Sequence, residues 1–214
     1  MRTTEKTKRA AAILELLKKR YPVPETMLTH ENPWELMIAT ILAAQCTDAR
    51  VNTITPELFR RWPGPAEMMQ ASVEALESVI RPTGFYHNKA KNILGAARRV
   101  TEVFGGEVPQ TIGELITIPG VARKTANVLL GDYFNKPEGV VVDTHVKRLS
   151  FRLGFTKQTD PVKIEKDLMK LIPKDKWQWI GIALILHGRS ICPARKPNCE
   201  GCPLAPWCPK NAVK

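Results

Sequence analysis

Residues 111–146 read TIGELITIPGVARKTANVLLGDYFNKPEGVVVDTHV, and they contain two short helix patterns joined by a Pro-Gly turn. Thr111, followed three residues later by Glu114, is the pattern of an N-terminal capping box. The Pro-Gly pair that ends at Gly120 predicts the end of this first helix, and a second helix is predicted to begin near Val121. Such a turn directs backbone N–H groups outward at a helix N-terminus, where an anion such as a DNA phosphate binds. An ordinary connection between two helices has the same pattern.

Two residues near this turn are candidates for chemistry. Lys124 falls in the first turn of the predicted second helix, where the helix dipole and the neighbouring Arg123 disfavour a positive charge. An amine in this position is a candidate nucleophile, although a solvated surface lysine fits the same pattern. Asp143 follows the apolar run 140–142 and precedes a helix predicted over 144–153. It is therefore a candidate N-cap and a candidate catalytic carboxylate at once.

Four of the five cysteines lie close together near the C-terminus, separated by six, two and five residues: Cys192, Cys199, Cys202 and Cys208. This clustering indicates metal ligation rather than a disulfide framework. A structural zinc site more often pairs two C-x2-C motifs across a longer segment, whereas iron–sulfur ligation is compatible with short and uneven spacing. Both remain open from the spacing. Cys46 is remote in sequence and is interpreted as a small core residue.

The composition is that of a basic globular protein. The 214 residues are 43% hydrophobic, and 32 basic against 21 acidic residues give a net charge of +11. A charge of this size favours a polyanionic partner, and nucleic acid is preferred over a membrane surface. The N-terminal segment lacks the pattern of a signal peptide, and no apolar stretch approaches the roughly 20 residues needed to span a bilayer. We therefore expect an intracellular protein, cytoplasmic or nucleoid-associated in a prokaryote.

Helix patterns cover most of the chain, and no segment alternates with the period of two that strands require. The fold class predicted is therefore all-α. Beyond the first turn motif, the predicted helices are an N-terminal helix with Ile13, Leu14 and Leu17 inward, one from Pro33 to about Ala44, one from Asp48 to Arg61, one capped by Ser72 and ending at Ile80, one from about His87 to Phe104, one from Val162 to Ile172, and one from Trp177 to His187.

The motif IPGVARKTAN (118–127), with Asp143 nineteen residues after Lys124 in VDTHV, and then the four-cysteine spacing, resembles the endonuclease III type of helix-hairpin-helix DNA glycosylases. The resemblance covers nearly the whole chain. The combination of these motifs is highly specific, whereas each alone would not be. One departure is Ala122, because the hairpin of the family usually has a second glycine there.

The resemblance implies a two-lobed helix-hairpin-helix DNA glycosylase fold. A six-helix barrel would span residues 26–136 and include the hairpin at about 111–133. Residues 1–25 and 137–214 would form a discontinuous second domain around one 4Fe-4S cluster, with its cluster loop at 192–208. The four clustered cysteines would be the ligands, and the role of the cluster would be structural.

The resemblance also implies a function in base excision repair. The enzyme would be a bifunctional DNA N-glycosylase and AP lyase that removes oxidised pyrimidines from duplex DNA and cleaves 3' to the abasic site by β-elimination. Lys124 would attack the sugar C1' and form a Schiff base, and Asp143 would stabilise the positive sugar and assist proton transfer. The expected partner is double-stranded DNA with damaged bases or abasic sites, bound by a monomer.

A base must leave the duplex before its sugar can be attacked, so the enzyme needs side chains that fill the gap in the stack. Gln45, in AAQCTD, and Phe85, after Gly84, are the candidates; for Phe85 the alternative is a core aromatic. The other residues predicted to contact DNA are Gly120, Ala122, Arg123, Thr125, His145, Arg195 and Lys196. His145 could equally be a packed or capping residue, and Arg195 and Lys196 could merely solvate their loop.

Three other functions fit parts of the sequence. A noncatalytic DNA-binding module would need the hairpin but not Lys124 together with Asp143. An iron–sulfur electron carrier would need neither the basic hairpin nor a helical body of this size. The adenine-specific mismatch glycosylases resemble the chain as well, but that branch lacks the hairpin lysine and carries an extra C-terminal domain.

Overall fold

The computed structural model describes residues 5–213, and this part of the chain contains helices and loops but no strand. The predicted all-α class is confirmed. The described residues divide into two compact units. We call residues 26–136 the hairpin unit, and residues 5–25 with 137–213 the cysteine unit. Residues 1–4 and 214, which the predicted second domain also includes, lie outside the described residues.

The α-helices are numbered along the chain: α1 (Glu5–Arg20), α2 (Pro33–Leu42), α3 (Asp48–Asn52), α4 (Thr55–Arg61), α5 (Pro65–Met69), α6 (Val73–Ile80), α7 (Tyr86–Phe104), α8 (Ile112–Leu115), α9 (Arg123–Val128), α10 (Thr144–Arg152), α11 (Pro161–Leu171) and α12 (Trp177–Ser190). Short 3-10 turns span Arg81–Thr83, Lys174–Lys176 and Ala205–Trp207, and a π-helical turn spans Leu129–Tyr133. Each helix of the described residues is too short or too polar to cross a membrane.

The hairpin unit is built around α2. Asn32 caps this helix by accepting the Glu35 N–H at 2.9 Å, and Pro33 follows at a position where no N–H is needed. Nearly every side chain of α2 is buried, and the helix packs against α7, α9 and the π-helical turn. Because α2 is enclosed by neighbours, its C-terminal end fixes where the next loop starts.

One predicted helix of this unit is wrong in extent. Residues 48–61 form two helices, α3 and α4, instead of one. Pro56 in the first turn of α4 has no N–H, and its ring would collide with the carbonyl of Asn52 in a continuous helix. The chain therefore ends α3 first, with the Thr53 N–H bonded to the Arg50 carbonyl at 3.3 Å.

The cysteine unit has a separate hydrophobic core. The predicted apolar stripe of α1 is confirmed, because Ile13, Leu14 and Leu17 are all buried there. Helices α10 and α12 pack against each other, and α12 is buried along much of its length, as its apolar sequence predicts. Three of the clustered cysteines pack at the edge of this core.

Candidate functional site

The hairpin of helices α8 and α9 forms as its sequence predicts, with one shift. The Glu114 N–H donates to Thr111 Oγ1 at 3.3 Å, and the Thr111 hydroxyl donates to Glu114 Oε2 at 2.7 Å. The second helix begins at Arg123 instead of near Val121. The Val121 N–H still closes a turn onto the carbonyl of Ile118 at 3.0 Å, so the chain becomes helical only after residue 122.

Gly120 is required by both conformation and space. Its φ of 79° lies in the left-handed region that favours glycine. A Cβ there would stand 2.9 Å from the Cβ of Asn92 and 3.3 Å from Ile41 Cδ1, so no side chain fits. Ala122 is different, because its φ of −85° and ψ of 170° are accessible to any residue. The missing second glycine therefore causes no backbone strain.

Lys124 is the second residue of α9 and is exposed, as is Arg123. Ala122 occupies the N-cap position and has no side-chain acceptor, so no side chain caps the first N–H groups of α9. Thr125, the third residue of α9, is only 8% exposed. The start of α9 thus presents an amine, a guanidinium and backbone donors together.

A cavity of about 270 Å³ lies within the hairpin unit, and four of the predicted DNA-contacting residues line it: Gln45, Phe85, Gly120 and Thr125. Phe85 is 63% exposed, so the alternative that it is a core aromatic is wrong. Gln45 is also exposed. Both residues have a left-handed backbone conformation, with φ of 55° for Gln45 and 50° for Phe85. The fold therefore brings two side chains distant in sequence to one opening beside the hairpin.

Lys89 also lines this cavity, and sequence reasoning missed it. Its side chain is buried, and burial is the main cause of the lowered pKa of its ammonium group, partly offset by Cys46. The ammonium donates to the carbonyl of Leu42 at 2.8 Å and to that of Thr83 at 2.9 Å. A signal for it exists in the sequence, because Lys89 falls on the apolar stripe of α7 that includes Ile93 and Val100.

Asp143 belongs to the cysteine unit and is the N-cap of α10. Its Oδ1 accepts the Val146 N–H at 2.8 Å, which confirms the predicted cap. The residue is half-buried, at the end of the chain segment that follows the buried Val140. One carboxylate oxygen is thus committed to capping the helix.

His145, in the first turn of α10, is half-buried. Burial is the main cause that lowers its pKa, and the charges of Arg148 and Arg189 lower it further, against an opposing effect of Asp143. Nη2 of Arg148 lies 3.1 Å from Nδ1 of His145. The same Nη2 carries two protons and also lies within hydrogen-bonding distance of the carbonyls of Gly188 and Cys192. His145 is therefore packed against Arg148 within the cysteine unit.

The clustered cysteines, Cys192, Cys199, Cys202 and Cys208, line one apolar cavity of the cysteine unit and form no disulfide. Burial raises the pKa of Cys202 and of Cys208, so a metal would have to displace their protons. Within residues 5–213, no set of three or more His, Cys, Asp or Glu side chains is arranged to hold a metal ion. What the fold provides is four free thiols around a shared space. Cys46 is half-buried against the core of the hairpin unit, as predicted.

Nitrogen atoms lie close to three of the four thiols. Arg152 Nη1 lies 3.2 Å from Cys192 Sγ, and the Lys210 N–H lies 3.4 Å from Cys208 Sγ. His187 is buried, which lowers its pKa to about 4, and its Nε2 is 3.4 Å from Cys202 Sγ. N–H groups aimed at sulfur favour thiolates and stabilise an anionic group bound by them.

Two arginines that the sequence analysis did not single out tie α10 to the cysteine loop. Arg148 donates to the carbonyls of Gly188 at 2.9 Å and Cys192 at 3.0 Å. Arg152 donates to those of Pro193 at 2.7 Å and Ala194 at 2.9 Å. The loop that continues into the exposed Arg195 and Lys196 is thus anchored to the helix that begins after Asp143.

Comparisons with known proteins agree with these features. The sequence model described as HhH-GPD superfamily base excision DNA repair protein matches residues 38–174. An endonuclease III from Synechocystis sp. is 55% identical over 95% of this chain and 93% of its own length.

Two solved structures, one a non-covalent complex of an endonuclease III with DNA and the other a trapped covalent intermediate of an endonuclease III with DNA, each have a TM-score of 0.91 and 41% identity. Each covers 95% of this chain, and the chain covers 95% and 96% of them, respectively. Each match therefore spans both units. The chain belongs to the endonuclease III family of the HhH-GPD superfamily, the DNA glycosylases and AP lyases of base excision repair.

Proposed function

We propose that this enzyme removes oxidised pyrimidines from duplex DNA and then cleaves the strand 3' to the abasic site through a Schiff base on Lys124. The observation that carries the proposal is the exposed amine of Lys124 directly after the Gly120 turn. Support comes from the relative solved as a trapped covalent intermediate with DNA. The preference for oxidised pyrimidines follows from the family resemblance alone.

The first step of the proposal is extrusion of the damaged base. Gln45 and Phe85 enter the stack and fill the gap, because both are exposed at the rim of one cavity. The hairpin holds the phosphates of the same strand through the backbone around Gly120 and Ala122 and through Arg123, and Thr125 adds its backbone N–H. The duplex is therefore contacted both in its base stack, by Gln45 and Phe85, and on its phosphates, by the hairpin.

The chemistry then uses one amine and one carboxylate. Neutral Lys124 Nζ attacks C1', the glycosidic bond breaks, and the base leaves with its bonding electron pair. Asp143 stabilises the positive charge that develops on the sugar and accepts the proton lost by the amine. Asp143 passes this proton to O4' as the sugar ring opens, which gives the Schiff base. The Schiff base acidifies the C2' hydrogen, and loss of that proton expels the 3' phosphate by β-elimination. We propose that the enzyme acts as a monomer.

The cysteine loop is proposed to hold one 4Fe-4S cluster through Cys192, Cys199, Cys202 and Cys208. The four free thiols share one cavity, and N–H donors lie beside two of their sulfurs, which suits an anionic cluster. When bound, the cluster supplies rigid cross-links rather than electrons. The loop then presents Arg195 and Lys196 to a DNA phosphate, and His145 is a further proposed DNA contact.

Borohydride trapping tests the Schiff base. Incubation with a duplex that carries thymine glycol or an abasic site should give a covalent adduct with the parent protein and none with Lys124→Gln, while duplex binding is retained. Lys91→Gln is the matched control, because Lys91 is an exposed lysine of the same unit on α7. Equal trapping by Lys124→Gln and the parent would end the assignment of Lys124.

Metal analysis tests the cluster. The purified protein should contain about four iron atoms per chain and show the visible absorption of thiolate-bound iron–sulfur centres. A colourless protein that contains zinc would contradict the 4Fe-4S assignment and would leave the Schiff-base chemistry untouched.

A further inference from the structure

The two side chains proposed to enter the DNA stack stand on loops that leave different elements. The chain reaches Gln45 three residues after Leu42, the last residue of α2, and reaches Phe85 two residues after Thr83, the last residue of a 3-10 turn. Both residues are non-glycine residues in the left-handed region, a conformation that is unfavourable unless the surroundings impose it. The fold must therefore hold each loop in place where it begins, at Leu42 for the first loop and at Thr83 for the second. We call these two residues the loop roots.

Lys89 contacts both roots. Its ammonium group donates to the carbonyl of Leu42 at 2.8 Å and to that of Thr83 at 2.9 Å, so one atom joins the two chain segments. The side chain is 4% exposed. Burying an ammonium group is costly unless it is hydrogen bonded, and a core position on α7 would ordinarily hold an apolar residue. A lysine at this position therefore indicates that its two hydrogen bonds are needed, since a hydrophobic side chain could not form them.

We propose that Lys89 is a positioning residue that holds Gln45 and Phe85 at the separation needed to fill the stack after the base has left. It reaches no substrate atom in this role and acts through the two loop roots. The inference rests on the proposed roles of Gln45 and Phe85. Its consequence is selective, since only a substrate with a base to extrude from a duplex depends on the two loops being held together.

The test compares single-turnover rates on two substrates. Lys89→Met shortens the unbranched side chain by one atom and removes its charge and donors. On a duplex with thymine glycol it should be slower than the parent by about 10- to 100-fold, the scale of a small misplacement in a site. A single-stranded oligonucleotide with an abasic site has no stack to fill. On this substrate the rate of Lys89→Met should fall by less than about threefold. Lys91→Met, an exposed matched control on α7, should match the parent on both.

A double-mutant cycle separates positioning from general loss of stability. If Lys89 acts through the two side chains, Lys89→Met should slow the Gln45→Ala, Phe85→Ala background far less than it slows the parent. A full multiplicative effect on that background, or equal losses on the duplex and the single strand, would overturn the inference. Circular dichroism shows which variants are folded. Lys89→Gln, which keeps N–H donors without the charge, takes the place of Lys89→Met in the cycle if the latter is unfolded.

Failure of the underlying function looks different. If Gln45→Ala with Phe85→Ala cleaves the thymine glycol duplex as fast as the parent, the proposed stack-filling roles are wrong whatever Lys89 does. If that double variant is slow and Lys89→Met is as fast as the parent, only the positioning role of Lys89 is wrong.

Discussion

At the scale of single residues, the Asp143 side chain has two roles, a structural one as a helix cap and a proposed catalytic one. The cap needs one oxygen that accepts the Val146 N–H, and the reaction needs a negative charge beside the sugar. A substitution by asparagine can separate the two roles, because asparagine retains an oxygen acceptor and loses the charge. The same comparison can be made at Asp160, which caps α11 by accepting the Lys163 N–H at 3.0 Å.

Asp143→Asn should therefore melt within about a degree or two of the parent, since asparagine caps as well as aspartate. Its turnover on damaged duplex should fall by about 100- to 1000-fold, the usual loss when a charge-stabilising group is removed. Asp160→Asn, which changes a cap in the same way, should retain both stability and turnover. Undiminished turnover in Asp143→Asn would show that the residue is only a cap.

At the scale of elements, the sequence was sufficient wherever the signal is local. The caps at Thr111, Asn32 and Asp143 were predictable because donor and acceptor are three residues apart. Pro56 is also a local signal, because a proline near the middle of a predicted helix indicates that the helix breaks there.

Contacts between distant residues were beyond the sequence. Lys89 bonds to a carbonyl 47 residues away, and no local pattern encodes its partner. The placement of Gln45, Phe85 and Gly120 around one cavity depends on how α2, α7 and the hairpin pack. Arg152 likewise reaches the Cys192 sulfur across 40 residues. The resemblance named most of these residues, and only the structure shows what joins them.

The hairpin turn itself makes a prediction about stability. Gly120→Ala adds a left-handed alanine and a methyl group 2.9 Å from the Cβ of Asn92, so it should lower the free energy of unfolding by at least about 2 kcal/mol. Gly105→Ala is the matched control, because Gly105 is also left-handed, with φ of 63°, but has open space around it. It should cost about 1 kcal/mol, the conformational part alone. Urea denaturation measures both; equal losses would show that the turn relaxes to accept the methyl group.

At the scale of the whole molecule, the net charge of +11 and the specific contacts make separable contributions to DNA binding. Charge spread over the surface raises the affinity for any polyanion, whereas a lysine or arginine seated on a phosphate releases a counterion and steepens the salt dependence. Arg195 and Lys196 are placed to do the second, because their loop is anchored through Arg148 and Arg152 to α10.

Arg195→Ala with Lys196→Ala should weaken binding to all duplexes alike and flatten the plot of log affinity against log salt by up to about 1.8, which is about 0.9 for each phosphate that the protein no longer neutralises. Lys166→Ala with Lys170→Ala is the control, because it removes the same charge from exposed positions on α11 and should change the slope far less. Iron content equal to that of the parent shows that the loop has kept its structure. If both double variants then shift affinity and slope by the same amount, Arg195 and Lys196 act only through the net charge. If the loop variant matches the parent, they only solvate the loop.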